Sequence, residues 1–166
     1  MFTKRSLFVT ATLLSFGLLG MSAAQADDTH CYTNASIRGN YAIVATYSAN
    51  VALALGVRNF DGAGNVTGTF TLNAPVEGSP TGARTIITGT QKGTYTVNCD
   101  GTGTITRTLT SSTGVVTTQT DDFLITKATE RDGRLLATGL EDMTRVPSAL
   151  VPGGLFVFRS YTRRPD

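Results

Sequence analysis

The chain has 166 residues, a formal net charge of +2 and one histidine, so it is sized for a single domain and has almost nothing from which to build histidine-dependent chemistry. The positive excess is Lys4 and Arg5; beyond them the 12 remaining basic residues balance 12 acidic ones, which excludes a general electrostatic pull toward nucleic acid.

Lys4 and Arg5, the apolar run Leu7 to Leu19 and the small-x-small exit Ala24-Gln25-Ala26 have the three-part pattern of a secretory signal peptide cleaved after Ala26. The run is shorter than the ~20 residues that span a bilayer, so no membrane span is expected after cleavage and the product is expected to be secreted or periplasmic. Residues 27–166 then form one domain. Thr, Val and Gly dominate it, and alternation of apolar and polar residues is its main signal.

The predicted strands, in order, are Gly39–Ser48, Ala54–Phe60, Val66–Asn73, Thr85–Thr90, Gly93–Asn98, Gly103–Thr110, Val115–Lys127, Arg134–Glu141 and Leu155–Tyr161. "DGAGN" (Asp61 to Asn65), "CDG" (Cys99 to Gly101), "SSTG" (Ser111 to Gly114) and "RDG" (Arg131 to Gly133) supply the residues that tight hairpin turns need. Two proline-containing segments, Asn73 to Gly82 and Val146 to Gly154, read as longer loops. Sequential hairpins make a meander, and a meander loses its exposed edges by closing into an antiparallel up-and-down barrel of about eight strands. A two-sheet sandwich fits the same pattern.

Cys31 and Cys99 are expected to form a disulfide, as a lone pair does in an oxidising compartment, and closing the loop between them removes about 4 kcal/mol of unfolded-chain entropy. With only His30 nearby they make a poor metal set, so no metal site is expected. No catalytic residue and no cofactor are assigned. The adjacent carboxylates Asp121-Asp122 and Glu141-Asp142 point to opposite faces of their strands and are expected at solvated strand ends. "DGAGN" has too few charged oxygens for calcium, and no helix follows "GTGTIT" to hold a phosphate.

Charge on the apolar parity is the chief oddity. Arg107 alternates with Ile105 and Leu109, and Arg159 with Leu155, Val157 and Tyr161. Inside a barrel each would need a partner, either Asp121 or a ligand carboxylate; near a rim each reaches water along its stem, and the rim is the expectation. Tyr41, Tyr47, Phe70, Tyr95, Phe123, Phe156 and Phe158 are expected mostly to fill the core. Tyr41, Phe70, Tyr95, Arg107, Phe123 and Arg159 are the candidates to line a ligand cavity.

The stretches "IRGNYAI", "FDGAGNVTGT", "GTYTVNCDGTGTIT" and "DDFLIT", in this order, resemble small exported bacterial domains similar to the allene oxide cyclase barrel, itself lipocalin-like in shape. The resemblance implies an eight-stranded barrel whose lumen accepts an apolar ligand. The leading expectation is therefore a secreted or periplasmic module binding a small apolar molecule. The alternatives are a cofactor-free cyclase or isomerase and a structural or surface-interaction domain; sequence leaves the oligomeric state open.

Overall fold

Eight strands follow one another around a closed antiparallel barrel in the computed structural model, which describes residues 31–47, 53–76, 78, 82–150, 154 and 156–165. They are β1 (Gly39–Tyr47), β2 (Leu53–Phe60), β3 (Asn65–Pro75), β4 (Arg84–Val97), β5 (Thr102–Ser111), β6 (Val116–Arg131), β7 (Arg134–Val146) and β8 (Val157–Arg163). Closure comes from β1 pairing back with β8, from Tyr41 opposite Arg163 to Tyr47 opposite Val157. The barrel, not the sandwich, is the architecture. The leader, its Ala26 exit, His30, and the strand ends Ser48 and Leu155 lie outside the described residues.

Alternation dictates the layers. In β5, Gly103, Ile105, Arg107, Leu109 and Ser111 face inward and are buried, while the intervening threonines face out. Threonines meet across the outer surface: Thr96 Oγ1 lies 3.1 Å from Thr104 Oγ1, and Thr106 Oγ1 3.1 Å from Thr120 Oγ1. Such cross-strand hydroxyl pairs fix register on a face that buries nothing. Asp61 organises the β2–β3 turn by accepting from Ala63 N at 2.7 Å and Asn65 N at 2.9 Å. At the β6–β7 turn, Asp132 and Gly133 both take positive φ, 53° and 70°, as a two-residue hairpin loop demands.

Several predicted boundaries change. The two strands Thr85–Thr90 and Gly93–Asn98 are one continuous β4. The expected break at Gln91 and Lys92 is absent, and the glycines on either side of it, Gly89 and Gly93, are inward positions of β4. Phe70 pairs with Gly89, Arg107 with Gly93, Arg58 with Gly68 and Phe123 with Gly103. A Cβ on Gly89 would lie 2.5 Å from Phe70 Cζ, and one on Gly93 would lie 2.8 Å from Arg107 Cα. Phe70 and Phe123 thus lie over a missing side chain, while at Gly68 and Gly93 the neighbouring strand's backbone comes close. β7 extends past Glu141 to Val146, and β6 past Lys127 to Arg131. Phe156 and Phe158, expected in the core, are exposed; Phe158 has the opposite parity to Val157, Arg159 and Tyr161. With Met143 opposite it in β7 and Leu55 opposite Val44 in β1 and β2, Phe158 belongs to an apolar outer face.

The lumen is filled in three tiers. One end is dry and aromatic: Tyr41, Phe60, Val66, Tyr95, Ile105, Phe123, Leu140 and Tyr161 pack together, and Ile37, from a 3-10 turn at Asn34–Ile37, plugs it. Tyr41, Phe60 and Tyr95 meet edge to face at centroid distances of 5.5 and 5.0 Å. The expected Cys31–Cys99 disulfide is present and ties this plug to the β4–β5 turn. The other end is built from Ala45, Ala54, Leu72, Ala74 and Val157, with Phe70, Ile87 and Leu150 against them. Between the two lies a charged tier.

Candidate ligand site in the barrel lumen

The middle tier consists of Arg58 from β2, Gln91 from β4, Arg107 from β5, Gln119 and Asp121 from β6, Asp142 from β7 and Arg159 from β8, all buried. Strand parity places each one: Arg58 follows Ala54 and Gly56 inward, and Arg159 lies between inward Val157 and Tyr161. The rim expectation for Arg107 and Arg159 is therefore overturned; they are 2% and 4% exposed. They cannot snorkel because the tiers above and below them are apolar.

The carboxylate pairs are also corrected. Asp121 and Asp142 are not at solvated strand ends but are 0% and 2% exposed. Adjacent carboxylates do point to opposite faces, which is why Glu141 is exposed while Asp142 is inside. The inner member of each pair then meets the other across two strands.

Arg159 joins them. Its Nη2 lies 2.5 Å from Asp121 Oδ1, and its Nε donates to Asp142 Oδ1 at 2.6 Å. Arg107 Nη2 donates to Asp121 Oδ2. Arg58 Nη1 donates to Asp142 Oδ2 at 3.2 Å and to the Tyr161 hydroxyl, which itself donates to Asp142. Gln91 Oε1 accepts from both Arg58 Nε, at 3.1 Å, and Arg107 Nη1, at 2.6 Å. Gln119 Nε2 donates to Asp121 Oδ1 at 2.6 Å.

The electrostatics do not balance. Among the described residues, three buried guanidinium groups face two buried carboxylates. Compensation is also uneven. Burial works against the Arg159 charge, but Asp142 and then Asp121 outweigh it and raise its pKa. Burial, followed by repulsion from Arg107 and Arg159, holds Arg58 well below its ordinary value. Arg107 is lowered by burial and then by Arg159. For Asp121, burial is outweighed by Arg107, Arg159 and Arg58, which bring its pKa down to about 2. Burial prevails at Asp142 and raises it. Arg159 contacts both carboxylates, whereas Arg58 and Arg107 each contact one, so the less compensated side is that of Arg58 and Arg107.

That side faces open space. A cavity of about 40 Å³ lies between the charged tier and the alanine-rich end. Its lining includes Arg58, Arg107, Arg159, Gln91 and Gln119 on one side and Ile43, Ala45, Ala54, Phe70, Leu72, Leu109 and Leu150 on the other. All three guanidinium groups line it; neither Asp121 nor Asp142 does. Arg107 Nε is buried without a hydrogen-bond partner. At roughly 10–15 Å³ per water on this measure, the space admits a small head group.

Of the six sequence candidates, Phe70, Arg107 and Arg159 line this cavity. Tyr41, Tyr95 and Phe123 belong to the sealed aromatic end. There the Tyr41 hydroxyl donates to Ala137 O at 2.8 Å and burial pushes its pKa up to about 12, while the Tyr95 hydroxyl donates to Asn34 O at 3.0 Å. Sequence reading missed Arg58, Gln91, Gln119 and Asp142. Parity with Ala54 and Phe60 was signal enough for Arg58. Gln91 was hidden by the supposed break in β4, and Asp142 by ending β7 at Glu141.

Fold and site together define an eight-stranded antiparallel barrel with a cationic lumen. No family model, curated protein or solved structure matches the chain.

Proposed function

We propose that this protein is an exported binding module that takes a small apolar molecule into the alanine-rich end of its lumen, using neither cofactor nor covalent chemistry. The observation that carries the reading is the cavity between Ala45, Ala54 and Leu72 on one side and the polar tier on the other. Small side chains at inward positions leave space that larger ones would fill, and the cavity's apolar walls with a few convergent polar groups have the composition of a ligand pocket on a scale of about 40 Å³, room for the inner end of a ligand. Neither Asp121 nor Asp142 lines the cavity, which favours binding over acid–base chemistry there. The leader pattern and the Cys31–Cys99 disulfide support an oxidising, exported location. A lumen for an apolar ligand is also what the allene oxide cyclase-like resemblance implies.

Native mass spectrometry of protein purified from the exported fraction tests this, paired with titration by the uncharged fluorophore N-phenyl-1-naphthylamine. A retained small-molecule mass or saturable probe binding that Ala54→Phe abolishes is expected. Bare protein mass together with no probe binding would overturn the reading.

A further inference from the structure

Resting on that reading, we propose that the ligand carries a single negative charge, a carboxylate, seated between Arg58 and Arg107 with its apolar part toward Ala54 and Leu72. Three observations converge on it. Among the described residues, the buried tier holds one guanidinium more than it holds carboxylates. The cavity is lined by every guanidinium and by neither carboxylate. Arg107 Nε, in a residue only 2% exposed, has no hydrogen-bond partner.

Each guanidinium has a carboxylate partner, but the tier as a whole keeps one positive charge in excess, and buried charge without a counter-charge is expensive, so an anion completes the balance. A carboxylate suits the position because its two oxygens accept from guanidinium N–H groups on two sides. A divalent anion would reverse the imbalance, whereas one negative charge cancels it. Gln91 already brings Arg58 and Arg107 to a common point through its Oε1, so the donors are ordered before the ligand arrives and little orientational freedom is lost on binding. Beyond the head group, the apolar side of the cavity offers nothing for a second charge or a hydroxyl to bond.

The test is calorimetric titration of protein purified from cells expressing the full chain, using octanoate, 1-octanol and acetate. Octanoate is expected to bind at least tenfold more tightly than either 1-octanol or acetate. Arg107→Gln should weaken octanoate at least tenfold, to about the affinity of 1-octanol. Arg58→Met, which leaves two guanidiniums against two carboxylates, should do the same while raising the thermal midpoint of the ligand-free protein; this variant keeps the test usable if Arg107→Gln fails to fold. Equal affinity for octanoate and 1-octanol would overturn the carboxylate assignment while leaving the binding module intact. Acetate binding as tightly as octanoate would overturn the apolar-ligand reading instead, and binding of none of the three would overturn both.

Discussion

Arg58 and Arg107, on strands β2 and β5, share a single neutral acceptor, Oε1 of Gln91, at 3.1 and 2.6 Å. Two like charges held this close in a buried tier repel; burial first, then repulsion from Arg107 at Arg58 and from Arg159 at Arg107, holds both pKa values below their ordinary range. The amide dipole of Gln91 is what makes the arrangement tolerable.

Gln91→Leu removes that acceptor while keeping an inward side chain of similar size. Both guanidiniums then lose a charge-assisted hydrogen bond, and the barrel should lose at least about 2 kcal/mol. Urea unfolding measures it. A variant as stable as the parent would mean that Gln91 is merely filling space.

Gly93 and Arg107 face one another across β4 and β5, and the absence of a side chain at Gly93 lets the β5 backbone at Thr106 and Arg107 come close. Gly93→Ala would bring a methyl group to 2.8 Å from Arg107 Cα. Overpacking of this kind costs about 1–3 kcal/mol. Denaturant unfolding should show the loss, and an unchanged midpoint would contradict the close approach.

How much of this was legible beforehand depends on which strand is considered. β3, β5 and β8 announced their inward faces, and the assignments of Val66 to Leu72, Ile105 to Leu109 and Val157 to Tyr161 follow from parity alone. The barrel was the first of two readings that consecutive hairpins allowed; a sandwich fitted the same pattern, and it is the pairing of β1 with β8 that separates them. The charged tier was harder, because its members are scattered over six strands and each looks isolated on its own. Arg107 and Asp121 were visible as a possible pair. The third guanidinium and the second carboxylate were not, so the imbalance could not be counted. A buried charge contradicts the general rule that places charge outside, and only the register across strands reveals who compensates it.

Acid should dismantle the tier in a defined window. The folded-state pKa of Asp121, about 2, lies below the unfolded value near 3.9. Its contribution to stability is therefore complete above about pH 4 and is lost as the pH falls through about 2. Asp142 has the opposite sign: raised by burial, it contributes below the unfolded value and loses that contribution as the pH climbs through its folded pKa. Asp121→Asn should cost about 3–5 kcal/mol at neutral pH, since it strips charge from a buried partner set. It should also flatten the acid limb of a plot of urea midpoint against pH. An acid limb as steep in the variant as in the parent would exclude Asp121 as its source.

The disulfide acts at the other end. Cys31 and Cys99 are separated by 68 residues, and Tyr32 N donates to Cys99 O at 3.1 Å, so the link holds the Ile37 plug against the β4–β5 turn. The double variant Cys31→Ser, Cys99→Ser should lose about 4 kcal/mol on the chain-entropy estimate. Because the cavity adjoins the opposite, alanine-rich end, octanoate affinity at a temperature where both proteins are folded should change little. Loss of octanoate binding without unfolding would show that the two ends are coupled.

The surplus of one buried positive charge is the claim on which the ligand assignment stands, and Gln91→Glu addresses it directly by placing a third carboxylate at the point that Arg58 and Arg107 share. The measurement is octanoate affinity by calorimetry, with the thermal midpoint of the ligand-free protein taken alongside. The glutamate should satisfy the tier from within, raising the midpoint and abolishing octanoate binding. A folded Gln91→Glu protein that still binds octanoate as the parent does would contradict the claim.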